Sequence, residues 1–155
     1  MNPFDQARPI PPADQPIATS SLPVRSVYEA ELIRLTSQYA EFAGSARNAL
    51  NLVAGLRTGC PITLYEQDLE YNFAPPPQVI GWGTVQRIIN LARSGLAGLG
   101  IAQPSPGQIA VALMGGTLPI GEATVRLSGV LCLYQAGVAW TRIAFAFARP
   151  GAALV

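Results

Sequence analysis

SVYEAELIRLTSQYAEFAGSARNALNLVAGLRTG, residues 26–59, is the stretch whose reading decides the fold class. It opens with Ser26-Val27-Tyr28-Glu29, the spacing of a capping box, in which a serine and a glutamate three residues apart satisfy unpaired amides of a first helical turn. Tyr28, Leu32, Leu35, Tyr39 and Phe42 then recur at alternating intervals of four and three, which places them on one face of an α-helix. Gly44 is positioned to end that helix, and a second fits 45–57, with Ala49, Leu50, Val53 and Leu56 predicted inward and Gly59 as its stop. Two helices this close in sequence form a helical hairpin.

Downstream, 60–77 reads as a loop with at most a short strand, closing on Pro75-Pro76-Pro77. A third helix is predicted over 84–99, with Val85, Ile88, Ile89, Ala92, Leu96 and Leu99 on its inner face. Ser105-Pro106-Gly107-Gln108 carries another helix start, with serine as cap, proline at the first helical position and glutamine three residues past the cap. That helix ends at Gly115-Gly116. Residues 117–127 hold two apolar segments around Gly121-Glu122, a candidate β-hairpin. Short helices are expected over 129–136 and 139–148, parted by Gly137-Val138, with Trp140, Ile143, Ala144 and Phe147 inward and Phe145 outside that stripe. The expected fold class is therefore mainly α: a small helical bundle of about five to six helices, a single domain over 25–155, with one short β-hairpin.

Ahead of it, residues 1–24 contain six prolines and few large apolar groups, which favours an extended polyproline arm. Fully extended, such an arm reaches about 70 Å, enough to cross a neighbouring subunit.

Composition narrows the function more than any motif does. Half the residues are apolar and 12% are charged, few for covering the surface of a free monomer, so part of the surface is expected to meet another molecule. There is no histidine, the commonest general base and a frequent metal ligand. Cys60 and Cys132 stand far apart among apolar neighbours, without the spacing of a zinc or redox motif, and are expected to be buried free thiols. No glycine-rich phosphate loop is present. The glycines at 95–100 end a helix rather than opening one after a strand, so they are no dinucleotide fingerprint. No catalytic residue, cofactor or metal site is expected. Glu66, Asp68 and Glu70 form the one acidic cluster, but they lack the glycine and asparagine pattern of a calcium loop.

The charges are unevenly divided: residues 1–70 hold eight acids and five arginines, and residues 71–155 hold Glu122 and five arginines. Opposite-signed halves favour either head-to-tail association or contact between the two halves within one folded subunit. The longest uncharged stretch, 94–121, is broken by three prolines and seven glycines, so no membrane span is expected. The first residues show neither a basic segment nor an apolar one of the signal-peptide kind, which leaves a cytoplasmic location as the default expectation.

Several motifs carry a resemblance. They are Phe42-Ala43-Gly44-Ser45 running into Leu52-Val53-x-Gly55-Leu56-Arg57-x-Gly59-x-Pro61-Ile62-x-Leu64; Gly81-Trp82-Gly83-x-Val85; Leu99-Gly100-Ile101-x-x-Pro104-x-Pro106; Gly129-Val130-Leu131; and Gly137-x-x-Trp140-x-x-Ile143-Ala144. Over about residues 39–147 the chain resembles a family of small, uncharacterised bacterial proteins, often secreted. The resemblance implies a shared helical fold and transfers neither an activity nor a catalytic residue. The chain departs at Gly137-Val138-Ala139-Trp140-Thr141-Arg142-Ile143-Ala144, where members often have Gly-Met-Gly-Trp-Gly-Gln-Ile-Ala. It departs again at the N-terminus, where members often carry a signal peptide.

Together these features point to a non-catalytic structural or accessory subunit, which self-assembles or docks on a larger protein complex. The expected contacts are Phe4, Ile10, Pro11, Pro12 and Ile17 in the arm and Arg142, Phe145, Arg149 and Leu154 in the apolar C-terminal segment. The alternative is a small regulatory domain that binds a small ligand, or DNA through the helix-turn-helix outline of 129–148. Few basic residues and a pI of about 7.8 make nucleic acid the weaker partner.

Overall fold

The helical hairpin expected from the opening stretch is the frame on which everything else packs. The computed structural model describes residues 14–148, with side chains from 27 to 147. In chain order the elements are α1 (Asp14–Ala43), α2 (Ala46–Thr58), β1 (Ile62–Glu66), β2 (Leu69–Phe73), α3 (Trp82–Gly98), α4 (Pro106–Met114), β3 (Gly116–Ile120), β4 (Ala123–Leu127), α5 (Val130–Gln135) and α6 (Trp140–Ala148).

Two corrections to the expected fold class follow. Residues 14–24 are not extended; they are the first turns of α1, a 30-residue helix of about 45 Å. Pro16 sits in the first turn, where a missing N–H costs no bond, and Pro23 removes a single interior one. The helix also runs straight through the capping box predicted at Ser26. The remainder of the predicted arm, 1–13, lies outside the described residues. The second correction is that 60–77 is no loop: β1 and β2 pair antiparallel around a two-residue turn, Gln67-Asp68, in which Gln67 adopts a φ of 56°. The described chain is thus a mainly α domain with two two-stranded β-hairpins, the second being β3 paired with β4.

The core lies where α1, α2, α3 and α4 meet. Leu35, Tyr39, Leu52, Val53, Ile88, Ile89, Leu96, Ile109 and Leu113 are among its buried side chains. On α2 the burial follows Asn48, Leu52, Gly55 and Leu56, while Leu50, expected inward, is 41% exposed. Ser45 caps α2 through its hydroxyl, which accepts from the Asn48 amide, and Ser105 with Gln108 closes a capping box on α4. From α6, Ile143 and Phe147 reach the core, and the Phe147 ring lies across Gly95 of α3.

Each hairpin is seated by one glycine. A Cβ on Gly55 would run into the Ile62 side chain, so β1 lies directly against α2 only because that carbon is missing. Gly129 follows β4 with a φ of 86°, and a Cβ there would strike the backbone of Gly115 and Met114, so the two ends of the second hairpin close on one another.

Candidate interaction surface

Helix α2 closes one edge of the first hairpin with side chains. In an antiparallel pair joined by a two-residue turn, alternate residues face the partner strand and the residues between them turn their backbone groups outward. On β1 the outward residues are Thr63 and Tyr65. Asn48, the one buried polar side chain among the described residues, bonds both groups of Tyr65: Oδ1 accepts from its N–H at 2.9 Å and Nδ2 donates to its C=O at 2.9 Å. The same Nδ2 donates to the Ala43 carbonyl at 3.0 Å, tying in the C-terminal turn of α1. Asn51 Nδ2 donates to the Thr63 carbonyl at 2.8 Å. Arg47 lies over the Tyr65 ring, 3.7 Å from its centroid.

The other edge of this hairpin stays open. On β2 the outward residues are Glu70 and Asn72, and their main-chain groups find no hydrogen-bond partner among the described residues. Leu69 is 70% and Tyr71 44% exposed along that edge. Both belong to the face that also carries the buried Ile62 and Leu64, so apolar surface continues from the core out to an unpaired strand edge. The inner side of Tyr71 rests on Gly107 at the start of α4.

Arginines and aromatic rings organise the opposite elements. Arg57 lies 5.0 Å from the Trp82 ring centroid and 6.0 Å from that of Tyr28, and these two rings meet edge to face at 5.1 Å. Its Nη1 donates to the Ile80 carbonyl at 3.0 Å while the Ile80 N–H donates to the Arg57 carbonyl at 3.2 Å, which fixes the entry into α3. Arg87 lies over Trp140, which stacks on Tyr134 with centroids 5.1 Å apart. Tyr39 Oη donates to Asn90 Oδ1 at 2.8 Å beneath Arg93, and burial raises its phenol above the usual tyrosine value against the pull of Arg93 and Arg34. Arg34 donates to Glu31 at 2.9 Å, and that hydrogen bond holds the Glu31 carboxyl below the usual range.

Among the described residues two open grooves of mixed lining flank α3: about 310 Å³ lined by Gln86, Arg87, Asn90, Leu91 and Ser94, and about 470 Å³ between Gln38, Glu41, Phe42, Arg93 and Gln103. Neither brings a nucleophile beside a base. Glu66 and Asp68 are exposed at the Gln67 turn, with Glu70 on the open edge, and among the described residues no group of three His, Cys, Asp or Glu side chains converges as metal ligands. No helix among them is long and apolar enough to cross a membrane.

The expected contact residues are only partly brought together. Arg142 and Phe145, three apart on the outer side of α6, are both exposed, Phe145 to 60%. Ile17 lies in α1, with its side chain outside the description; Phe4, Ile10, Pro11, Pro12, Arg149 and Leu154 fall outside the described residues. Within the helix-turn-helix outline, Trp140, at the start of α6, is engaged by Tyr134 and Arg87. Both cysteines are exposed rather than buried. Cys60 directly follows the Gly59 cap at the surface, and Cys132 Sγ donates to the Met114 carbonyl at 2.9 Å.

Leu69, Glu70, Tyr71, Asn72 and Asn48 were not singled out as contact or framework residues by sequence. The strand alternation of 69–73 was the available signal, masked by a turn without glycine or asparagine. Comparison with protein-family models, with curated proteins and with solved structures returns no match.

Proposed function

We propose that this chain is a non-catalytic structural or accessory subunit that works by contact with other protein surfaces. One observation carries the reading: among the described residues, the β2 edge presents main-chain groups with no partner beside exposed Leu69 and Tyr71. An unpaired apolar strand edge is a template for another chain, and folded proteins ordinarily cover, charge or block it. The low charge content supports the same conclusion, as does the exposed pair Arg142 and Phe145 on α6, since arginine and aromatic residues are enriched in protein interfaces.

Native mass tests it, measured on the pure full chain and in extract of its source. A subunit has a mass well above 16.3 kDa in at least one of the two; a monomer in both contradicts the proposal. A salt-sensitive mobility shift of duplex DNA by the pure protein would replace it with the nucleic-acid reading.

A further inference from the structure

We infer that the open edge of β2 pairs with the β2 edge of a second copy of this chain, antiparallel about a two-fold axis through Tyr71. The inference rests on the subunit reading above and supplies its partner. The first argument is elimination among the strand edges. Asn48 and Asn51 bond three of the four outward main-chain groups of β1, all but the Thr63 N–H, and Arg47 lies over the Tyr65 ring beside them. On β3 the outward positions are Thr117 and Pro119, and a proline has no N–H to offer a further strand. On β4 they are Thr124 and Arg126, an exposed edge bearing a cation and no large exposed apolar side chain. Among the described residues, only β2 combines unpaired main-chain groups with large exposed apolar side chains.

The second argument is self-complementarity. Hydrogen-bonded pairs between antiparallel edges join outward-facing residues, here Glu70 and Asn72. Placing Glu70 opposite Asn72 of the second copy, and Asn72 opposite its Glu70, exchanges four main-chain bonds and sets Tyr71 against Tyr71. Leu69 then faces Phe73, apolar against apolar. Asn72 Oδ1 already accepts from Thr63 Oγ1, which leaves its Nδ2 to donate to the Glu70 carboxylate opposite. A register centred on Glu70 opposes two carboxylates instead, and like charges directly opposite destabilise a strand pair. A register centred on Asn72 pushes Glu70 against Ala74, next to the proline run that ends the strand.

The contact is five residues long, short of the roughly 1,200 Å² typical of stable interfaces, so a weak dimer is expected, formed at micromolar concentrations and above. An isologous pairing of this kind closes on itself as a dimer and does not propagate.

The register makes the test specific. With Cys60 and Cys132 replaced by serine, Tyr71→Cys sets two thiols in a non-hydrogen-bonded pair, with Cα atoms about 4.5 Å apart and within disulfide reach. Mild oxidation should give a covalent dimer, and Glu70→Cys, which faces Asn72 instead of itself, at least tenfold less. Leu69→Arg and Asn72→Pro, both at exposed positions of the edge, should each weaken association at least tenfold by sedimentation while the helical circular dichroism is unchanged. Equal cross-linking at 70 and 71, or a dimer indifferent to Leu69→Arg and Asn72→Pro, overturns the pairing. A pure chain that stays monomeric to several hundred micromolar while extract shows a larger species overturns self-pairing and leaves the subunit reading intact. A monomer in both settings ends both.

Discussion

The two hairpins have the same build, five-residue strands joined by two-residue turns, and finish their edges differently. The second, β3–β4, carries Pro119 at an outward position of one edge and Arg126 on the other, and Gly115 and Gly129 pinch its two ends together behind α4. It reads as a clasp. The first, β1–β2, has one edge bonded by asparagine side chains of α2 and the other, among the described residues, left bare beside Leu69 and Tyr71. Residues that cost nothing to the hairpin itself are what separate the two. Pro119 removes an N–H that β4 never used, and Asn48 satisfies groups that β2 cannot reach.

The sharpest way to break this comparison is at the glycine of the clasp. Gly129→Ala combines a left-handed backbone with a Cβ driven into Gly115 and Met114, and should cost about 3 kcal/mol or more in chemical denaturation. Gly121→Ala, also left-handed but with open space around it, should cost only about 1 kcal/mol and shows how much of the Gly129 effect is collision. Next in size is Asn48→Ala, expected to lose roughly 2–3 kcal/mol because both Tyr65 main-chain groups and the Ala43 carbonyl are left unsatisfied. It should also make the protein aggregate with concentration, since a second edge of the first hairpin is now bare.

Smaller effects come from a control away from both hairpins. The folded state holds the Tyr39 proton more tightly than the unfolded chain does, so that contribution is intact below about pH 10 and is lost as pH rises beyond it. Tyr39→Phe should flatten this alkaline decline in a denaturation series, at a cost of about 1 kcal/mol for the lost bond to Asn90. Smallest of all, Pro119→Ala should leave stability within about 0.5 kcal/mol while restoring an N–H to the β3 edge. Any new association of that variant measures how much the proline suppresses.

How much was legible beforehand divides along the same line. The stripe of Leu35, Tyr39 and Phe42 and the Ser105 capping box are local signals with their own periodicity or chemistry, and they place the helices. Leu50 was misplaced because the buried face of α2 is rotated toward Asn48, a polar residue that earns burial only through bonds to a strand far along the chain. The 14–24 helix was hidden by prolines, which weigh against a helix in general; Pro16 falls in the first turn, where the penalty is small, while Pro23 lies in the interior and gives up one bond. The β1–β2 hairpin was hidden by its turn, where Gln67 takes a left-handed φ usually left to glycine or asparagine. Which strand edge is open is a property of tertiary packing, and no local pattern announces it.

Amide hydrogen exchange, read residue by residue at low and high protein concentration, tests the central claim most directly. The Tyr65 amide, held by Asn48, should be protected at every concentration. The Glu70 and Asn72 amides should exchange freely in dilute solution and gain protection as concentration rises through the micromolar range. Glu70 and Asn72 amides that exchange at one rate throughout, or that are already protected in dilute monomer, would contradict the account.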